Sequence, residues 1–316
     1  MKPEIVIFSA KGKKSFSFSQ IERLEKVGNI TFHAVMDPLP KEVFISLAKH
    51  AEILGITRRP LKDFDREIAQ SLPRLRGIAI YSTGYDWIDV EFLKKKGVSI
   101  SYLPDYATVT VAEHAIGMLL ALSRKIPLAY LKASGLLTQK VSLKGWEIYG
   151  KKHGIIGLGR IGTRVAQLGK CMGMEVYYYD PVKKISYPFA IRVRFEEILK
   201  SMDVITICAS YQRGYPPIIG RNEMEKMKNG IYIINVSRKE LVDHEALVEF
   251  INNGKIAGYA LDDVLEPDIL NKLSEKHRII LTAHTAWYSE EALSRGTEMW
   301  VENIIGLATG NPKNII

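Results

Sequence analysis

Two doubly wound parallel-sheet α/β domains are predicted for this chain, and three observations predict them. Short β-branched runs alternate with helically spaced segments through most of its length. The apolar run that begins at His153 breaks into glycines at 157, 159 and 162. Finally, 316 residues are too many for one ordinary core and suggest two.

The first hundred residues carry five strand-like runs: EIVIF at 4–8, ITFHAV at 30–35, AEILGI at 51–56, GIAIYS at 77–82 and VSISYL at 98–103. Stretches between them, such as PKEVFISLAKH, have helical spacing, so this part reads as a small α/β domain with a parallel sheet. A long amphipathic helix follows from about Thr110 to Lys125, with Ala112, Ala115, Ile116, Leu119, Leu120 and Leu122 on its apolar face. The second domain then runs strand, helix, strand to about residue 285, with further strands at VITIC (204–208), GIYIINV (230–236), AGYAL (257–261) and IILT (279–282). A last helix starts at Ser289, an N-cap serine followed by two glutamates, which suit the positive end of a helix. It lies beyond the second sheet and is free to return to the first domain.

Composition is that of an ordinary globular protein. The chain is 47% hydrophobic and 25% charged. No apolar stretch approaches the roughly 18 residues that cross a bilayer, and MKPEIVIFSAKGKK lacks the long apolar core of a signal peptide; a cytoplasmic protein with no membrane contact is expected. Cys171 and Cys208 stand in apolar contexts without metal-ligand spacing and are read as buried free thiols, so no metal site is expected. The net charge of +9 invites a nucleic-acid reading, but only Lys11, Lys13 and Lys14 and then Lys94, Lys95 and Lys96 form runs. Elsewhere the cations alternate with acids as on a solvated helix face, which argues against nucleic acid. A general positive field is enough to steer small anions.

The segment HGIIGLGRIG at 153–162 has the residues of a dinucleotide-binding turn. Gly157 permits the tight exit from a strand, Gly159 lets backbone approach a pyrophosphate, and Gly162 lets the next helix pack close to the sheet. The pyrophosphate then meets free N–H groups at the helix's positive end. Eighteen residues after Gly162, behind the run EVYYY, stands Asp180. Its carboxylate can accept both hydroxyls of an adenosine ribose and repel a 2′-phosphate, so NAD is favoured over NADP. Lys183 and Lys184 weaken that preference slightly.

The glycine turn comes late in the chain for a dinucleotide enzyme. Around it stand STGYDWIDV at 82–90, VAEHAIGMLLALSRKI at 111–126, INVSRKELVDHEAL at 234–247, GYALDDVLEPD at 258–268 and LTAHTAWYSEEA at 281–292. In these motifs, taken in this order, the chain resembles the D-isomer-specific 2-hydroxyacid dehydrogenases over nearly its whole length. The resemblance implies a flavodoxin-like substrate domain, here 1–103 with 287–316, and a Rossmann-like NAD-binding domain at 104–286 with a cleft between them. It also implies a homodimer joined through the cofactor domains. The implied reaction is hydride transfer between NAD(H) and a small D-2-hydroxyacid or 2-oxoacid.

The resemblance assigns a catalytic trio. Arg238 in NVSR would clamp the substrate carboxylate, a planar task suited to a guanidinium fork. His284 in TAHTAW would give a proton to the carbonyl oxygen and take it back in the oxidative direction. A carboxylate beside the imidazole would orient it and favour its charged form. The family pattern places a nicotinamide-contacting Asp five residues before that carboxylate, and here the fifth residue after Asp262 is Pro267. A one-residue shift is therefore required: LDDVLEPD offers Asp262 or Asp263 followed by Glu266 or Asp268, and Asp262 is preferred for the cofactor and Glu266 for His284, with Asp268 as the alternative. The lack of any Gln between 262 and 284 sets the chain apart from formate dehydrogenases.

Other positions carry over. Thr83 and Gly84 match the loop whose amides hold the substrate carboxylate, although a glycine there also suits a plain turn. Tyr106 matches a substrate-facing tyrosine of lactate-type members, or packs between the lobes. Arg160 and Ile161 fall in the pyrophosphate turn and Val236 on the nicotinamide side. The chain departs from the pattern at Lys239, where Gly is usual, at Ala283, where Pro is usual, and at CASY (208–211), which replaces HxPL. Glyoxylate, hydroxypyruvate, 3-phosphoglycerate and D-lactate share the carboxylate that Arg238 would read, so another group must distinguish them. Arg58 and Arg59 align roughly with a phosphate-contacting arginine of phosphoglycerate dehydrogenases, whereas WYSEEA is closer to glyoxylate and hydroxypyruvate reductases and to related NAD-sensing corepressors. The reductase type is placed ahead of phosphoglycerate dehydrogenase, and a corepressor-like binding protein is the reading from another class.

Overall fold

The computed structural model describes residues 2–183 and 187–316; Lys184, one of the two lysines weighed against Asp180, lies outside them. The chain divides into two compact units, Met1–Tyr106 with Ser289–Ile316, and Ala107–Tyr288. The sequence reading had put the breaks at 103/104 and 286/287.

The first unit is built on a five-stranded sheet of β1 (Glu4–Ser9), β2 (Asn29–Ala34), β3 (Ile53–Ile56), β4 (Gly77–Ile80) and β5 (Ser99–Ser101) in the order β2-β1-β3-β4-β5, every pair parallel. This is the flavodoxin-like order. Helices α1 (Phe18–Val27), α2 (Lys41–Ala48), α3 (Arg66–Ser71) and α4 (Val90–Lys95) make the crossovers. Strands β3 and β4 are buried at every residue, which is why their sequences are unbroken apolar runs rather than alternating ones. Each of the five runs forms its strand. The last one is cut from six residues to three, since a ladder lasts only as long as its neighbour β4.

The C-terminal helix, numbered α12 (Glu290–Thr309), belongs to this first unit. Ser289 caps it by accepting the Ala292 amide at 3.2 Å. Trp300, 1% exposed, donates its indole N–H to the Ala79 carbonyl at 2.8 Å, and Arg23 on α1 pairs with Glu298 and Glu302. Gly55 and Gly77 let the helix close on the sheet, because a Cβ at either would meet Ile304, Trp300 or Leu307 at 3.0–3.3 Å.

The second unit opens with α5 (Thr108–Ser123) and α6 (Ile126–Ala133). Its seven strands are β6 (Lys152–Ile156), β7 (Glu175–Tyr179), β8 (Ile191–Arg192), β9 (Val204–Ile207), β10 (Ile231–Asn235), β11 (Ile256–Leu261) and β12 (Ile279–Leu281), in the order β12-β11-β10-β9-β6-β7-β8 and all parallel. Between them run α7 (Arg160–Cys171), α8 (Phe195–Ser201), α9 (Arg221–Lys226), α10 (His244–Asn252) and α11 (Pro267–Asn271). The order reverses between β6 and β9, giving a Rossmann-like switch point. Two-residue β8, too short for a periodic signal, was not anticipated. The buried face of α5 adds Val111 and Met118 to the expected residues and leaves Leu120 only half-buried, since the helix packs on both α7 and the sheet.

One expectation is corrected. Cys171 is exposed, not buried: the buried stripe of α7 is Gly162, Val165, Ala166 and Gly169, and a residue two past Gly169 faces away from it. Cys208 keeps some residue exposure, but its thiol is enclosed, and burial pushes its pKa up to about 12. Among the described residues no helix is long and apolar enough to cross a membrane.

His153 sits inside β6 at 0% exposure with Nε2 2.7 Å from Thr206 Oγ1, and burial lowers its pKa to about 4. His244 is lowered to about 4 as well, by burial first and then by the Lys239 ammonium. The unfolded chain therefore binds protons that the folded chain refuses, so the contribution of these two histidines to stability is complete above about pH 6.5 and declines toward pH 4. For His153 the loss by pH 4 is about 3 kcal/mol. We expect the urea midpoint to fall over this window, and His153→Gln, which keeps a partner for Thr206 without titrating, to flatten the fall. An unchanged slope in the variant would remove His153 as a source.

Candidate active site

In a parallel sheet every strand ends on the same side, and the candidate residues of the second unit gather along that one edge. From one side to the other stand His284 after β12, Asp262 and Glu266 after β11, Arg238 after β10, Cys208 after β9, Gly157 after β6 and Asp180 after β7. Strands β10 and β12 flank β11, so the Arg238 and His284 loops start about 10 Å apart, a gap that a small acid and two long side chains can span.

The glycine turn lies at the β6/β9 switch point. Gly157 has φ 89, and a Cβ there would come within 2.7 Å of the Ala209 backbone. Gly162 packs onto the Gly157 carbonyl, whereas a Cβ at Gly159, the N-cap residue of α7, would meet nothing within 4 Å. Open space thus lies in front of a helix N-terminus, where a pyrophosphate fits. Ile161 and Arg160 form the first turn behind it.

Asp180 is 9% exposed, and its carboxylate accepts the amides of Leu158 at 2.8 Å, Val182 at 2.9 Å and Lys183 at 2.8 Å. Burial alone would raise its pKa, but these N–H donors outweigh burial and hold it below the usual carboxylate range. An anion therefore stands at the end of β7, tied to the glycine turn. These features fit a dinucleotide.

Arg238 leaves β10 through a turn fastened by Asn235. That buried amide donates to the Arg238 carbonyl at 2.8 Å and accepts the Ser237 amide at 2.9 Å, while Ser237 Oγ reaches the Ala209 carbonyl. Val236, 9% exposed, bonds through its amide to Ile207 and so joins the same edge.

The loop of His284 is held from beneath by Asp262. This carboxylate, 5% exposed, accepts Thr282 Oγ1 at 2.7 Å and the amides of Thr285 at 2.8 Å and Ala286 at 3.0 Å. Ala283 and His284 have φ 50 and 58, two left-handed residues in succession. Such a backbone costs of order 1 kcal/mol or more per residue and persists where neighbours fix it. Proline, locked near φ −65, is excluded at 283, which accounts for that departure from the family pattern. The Trp287 indole donates to the His284 carbonyl at 3.1 Å, and the imidazole of His284 itself is exposed.

Glu266 is the N-cap residue of α11 and is paired with Lys239 at 3.0 Å. Asp268 lies in the first turn of α11 and is exposed. In the first unit, Thr83 donates to the Leu103 carbonyl at 2.7 Å and Ser82 to that of Gly84 at 2.6 Å, so this loop at the carboxyl end of β4 is internally tied. Tyr106 is 6% exposed, edge-on to Tyr81 with ring centroids 5.7 Å apart. Arg58 and Arg59 are exposed. Sequence reasoning missed Asn235, Trp287 and His114, whose Nε2 is 2.9 Å from Thr282 Oγ1. The available signal was a polar residue ending one apolar strand and interrupting an apolar helix.

A family model for the D-isomer specific 2-hydroxyacid dehydrogenase NAD binding domain matches residues 116–286. The chain is 30% identical over 292 residues to the glyoxylate reductase of Korarchaeum cryptofilum, covering 88% of this chain and 86% of that protein. It is 34% identical over 263 residues to a D-3-phosphoglycerate dehydrogenase of Archaeoglobus fulgidus, covering 82% of this chain and 50% of the longer relative. Among solved structures, an acyclic imino acid reductase in complex with NADPH and D-Arg superposes with a TM-score of 0.86 at 26% identity, covering 98% of this chain and 99% of the other. With the motifs, the parallel-sheet order and these relatives in agreement, the chain is an oxidoreductase belonging to the D-isomer specific 2-hydroxyacid dehydrogenase family.

Proposed function

We propose that this enzyme interconverts a small 2-oxoacid and its D-2-hydroxyacid with NAD, with Arg238 as the carboxylate clamp and His284 as the acid and base. The observation that carries the reading is the placing of the Arg238 and His284 loops on either side of β11, at the sheet edge that also carries the glycine turn. When bound, NADH supplies the hydride that reduces the carbonyl carbon. Arg238 offers two parallel N–H donors to the substrate carboxylate and fixes which face of the carbonyl is presented. His284 gives its proton to the carbonyl oxygen as negative charge develops there, and recovers it in the oxidative direction.

Thr83 and Gly84 are assigned to the substrate carboxylate and Tyr106 to the substrate side. Asp262 keeps its assignment toward the nicotinamide, and Gly157, Gly159, Arg160, Ile161, Gly162 and Val236 theirs in the cofactor site. Glu266 remains the carboxylate for His284 with Asp268 as the alternative. The Lys239 ion pair weighs toward Asp268, since Glu266 would have to leave an ammonium to serve an imidazole.

The anionic Asp180 at the end of β7 supports NAD over NADP, because a 2′-phosphate would approach a charge already fixed by three amides. The WYSEEA segment and the likeness to a glyoxylate reductase over 88% of this chain and 86% of that protein support glyoxylate or hydroxypyruvate ahead of 3-phosphoglycerate.

A homodimer through the cofactor domain belongs to the same reading. Ile126, Tyr130, Leu131, Leu136 and Leu143 are 39–72% exposed in one stretch of the second unit. Of these, Leu131 lines a groove of about 790 Å³ together with Leu128, Leu137, Val141, Ile279 and Ile280. Apolar surface of this kind is characteristic of obligate contacts.

Steady-state assays with glyoxylate, hydroxypyruvate, 3-phosphoglycerate, pyruvate and one 2-imino acid, each with NADH and NADPH, test the assignment. Turnover is expected with at least one 2-oxoacid and NADH. Tight NADH binding without turnover of any would favour a sensor instead. His284→Ala is expected to lower kcat on the order of 10³-fold while sparing NADH affinity, and Arg238→Lys to raise KM by losing the bidentate fork; wild-type kinetics in either would remove that residue from its role. Asp180→Ser is expected to raise the NADPH to NADH preference about tenfold, and an unchanged ratio would count against Asp180 as the reader. By sedimentation velocity the wild type is expected as two chains, and Tyr130→Glu with Leu136→Glu as one. A monomeric wild type would end the dimer assignment.

A further inference from the structure

The apolar helix α5 carries one imidazole that the reaction as described does not use. His114 Nε2 lies 2.9 Å from Thr282 Oγ1, and that hydroxyl lies 2.7 Å from Asp262 Oδ1, itself 3.8 Å from the same imidazole nitrogen. A hydroxyl has one proton to give. With that proton directed to the Asp262 carboxylate, Thr282 must accept from His114, which therefore presents Nε2–H. Asp262 in turn receives the amides of Thr285 and Ala286, the two residues that follow His284. An unbroken chain of hydrogen bonds thus runs from α5 to the backbone on which His284 is mounted.

That backbone needs fixing from outside. Ala283 and His284 are both left-handed, and position 283 has no pyrrolidine ring to restrain it. Trp287 holds one side of the loop through the His284 carbonyl, and Asp262 the other through the following amides. Asp262 is enclosed at 5% exposure, so the orientation of its carboxylate depends on its few donors, and Thr282, steered by His114, is one of the three.

We propose that His114 is a positioning residue for proton transfer by His284, acting through Thr282 and Asp262. It touches neither substrate nor cofactor in this scheme. The inference rests on the assignment of His284 as the acid and base. A plain helix histidine that merely satisfies its own polar atom would leave the rate of the folded enzyme untouched.

The test uses the full chain with glyoxylate or hydroxypyruvate and NADH, and follows kcat, KM for the oxoacid and the thermal midpoint. His114→Leu is expected to lower kcat about tenfold to a hundredfold, with KM for the oxoacid within about twofold of wild type. His114→Gln, which can offer an amide N–H near the same point, is expected to recover kcat to within about threefold. Thr282→Val should reproduce the His114→Leu loss, and the double variant should be no worse than either single one. Amide exchange at Thr285 and Ala286 should quicken about tenfold in His114→Leu even without substrate.

A wild-type kcat in His114→Leu, a loss that His114→Gln does not recover, additive losses in the double variant, or a lowered midpoint with unchanged kcat would each overturn the proposal. Should His114→Leu fail to fold, Thr282→Val and His114→Gln decide it by the same readings. His284→Ala separates the two levels. Turnover intact in that variant removes the acid–base assignment and this inference with it, whereas turnover lost there but normal in both His114→Leu and Thr282→Val removes only the role of His114.

Discussion

A carboxylate that accepts backbone amides is the interaction on which the working edge of the second sheet depends. Loops at the ends of parallel strands leave the ladder, and their N–H groups must find other acceptors or water. Asp180 and Asp262 provide them. Each is less than a tenth exposed, and each takes three donors from a loop beyond its own strand or at its end. A buried charge is expensive unless so satisfied; once satisfied, it ties its loop to one arrangement. Asp180 ties the glycine turn to β7, and Asp262 ties the His284 loop to β11.

This bracing explains how irregular backbone can stand where positioned chemistry is required. Gly157 is left-handed against the Ala209 backbone, and Ala283 and His284 are left-handed over Asp262. Asn235 performs the same service for the Arg238 turn with an uncharged amide, whose two ends meet a carbonyl and an N–H. The rigid sheet sets where each loop begins. Short polar side chains then set where it goes.

Much of the fold was legible in the residues. Buried parallel strands need continuous apolar runs, and those runs were visible from EIVIF to IILT. The Ser289 cap was equally legible because it acts within one turn of its own helix. Two-residue β8 was not, since so short a strand exists only through its pairing with β7. Cys171 was misread for a related reason: an apolar neighbourhood in sequence does not say which side of the helix a residue takes.

The candidate site divides along the same line. Sequence alone determined the glycine spacing and the acid after the second strand, because those steps depend on residue type and on distance along the chain, whereas Arg238 and His284 were nominated by the family motifs around them. Only the tertiary structure decided that Asp262 turns inward to hold the His284 loop, that Glu266 meets Lys239, and that His114 reaches Thr282. His114 and Thr282 are 168 residues apart, and what joins them is the packing of α5 beside the edge of a sheet. No local pattern encodes such a contact, since its energy is realised only once both elements are in place.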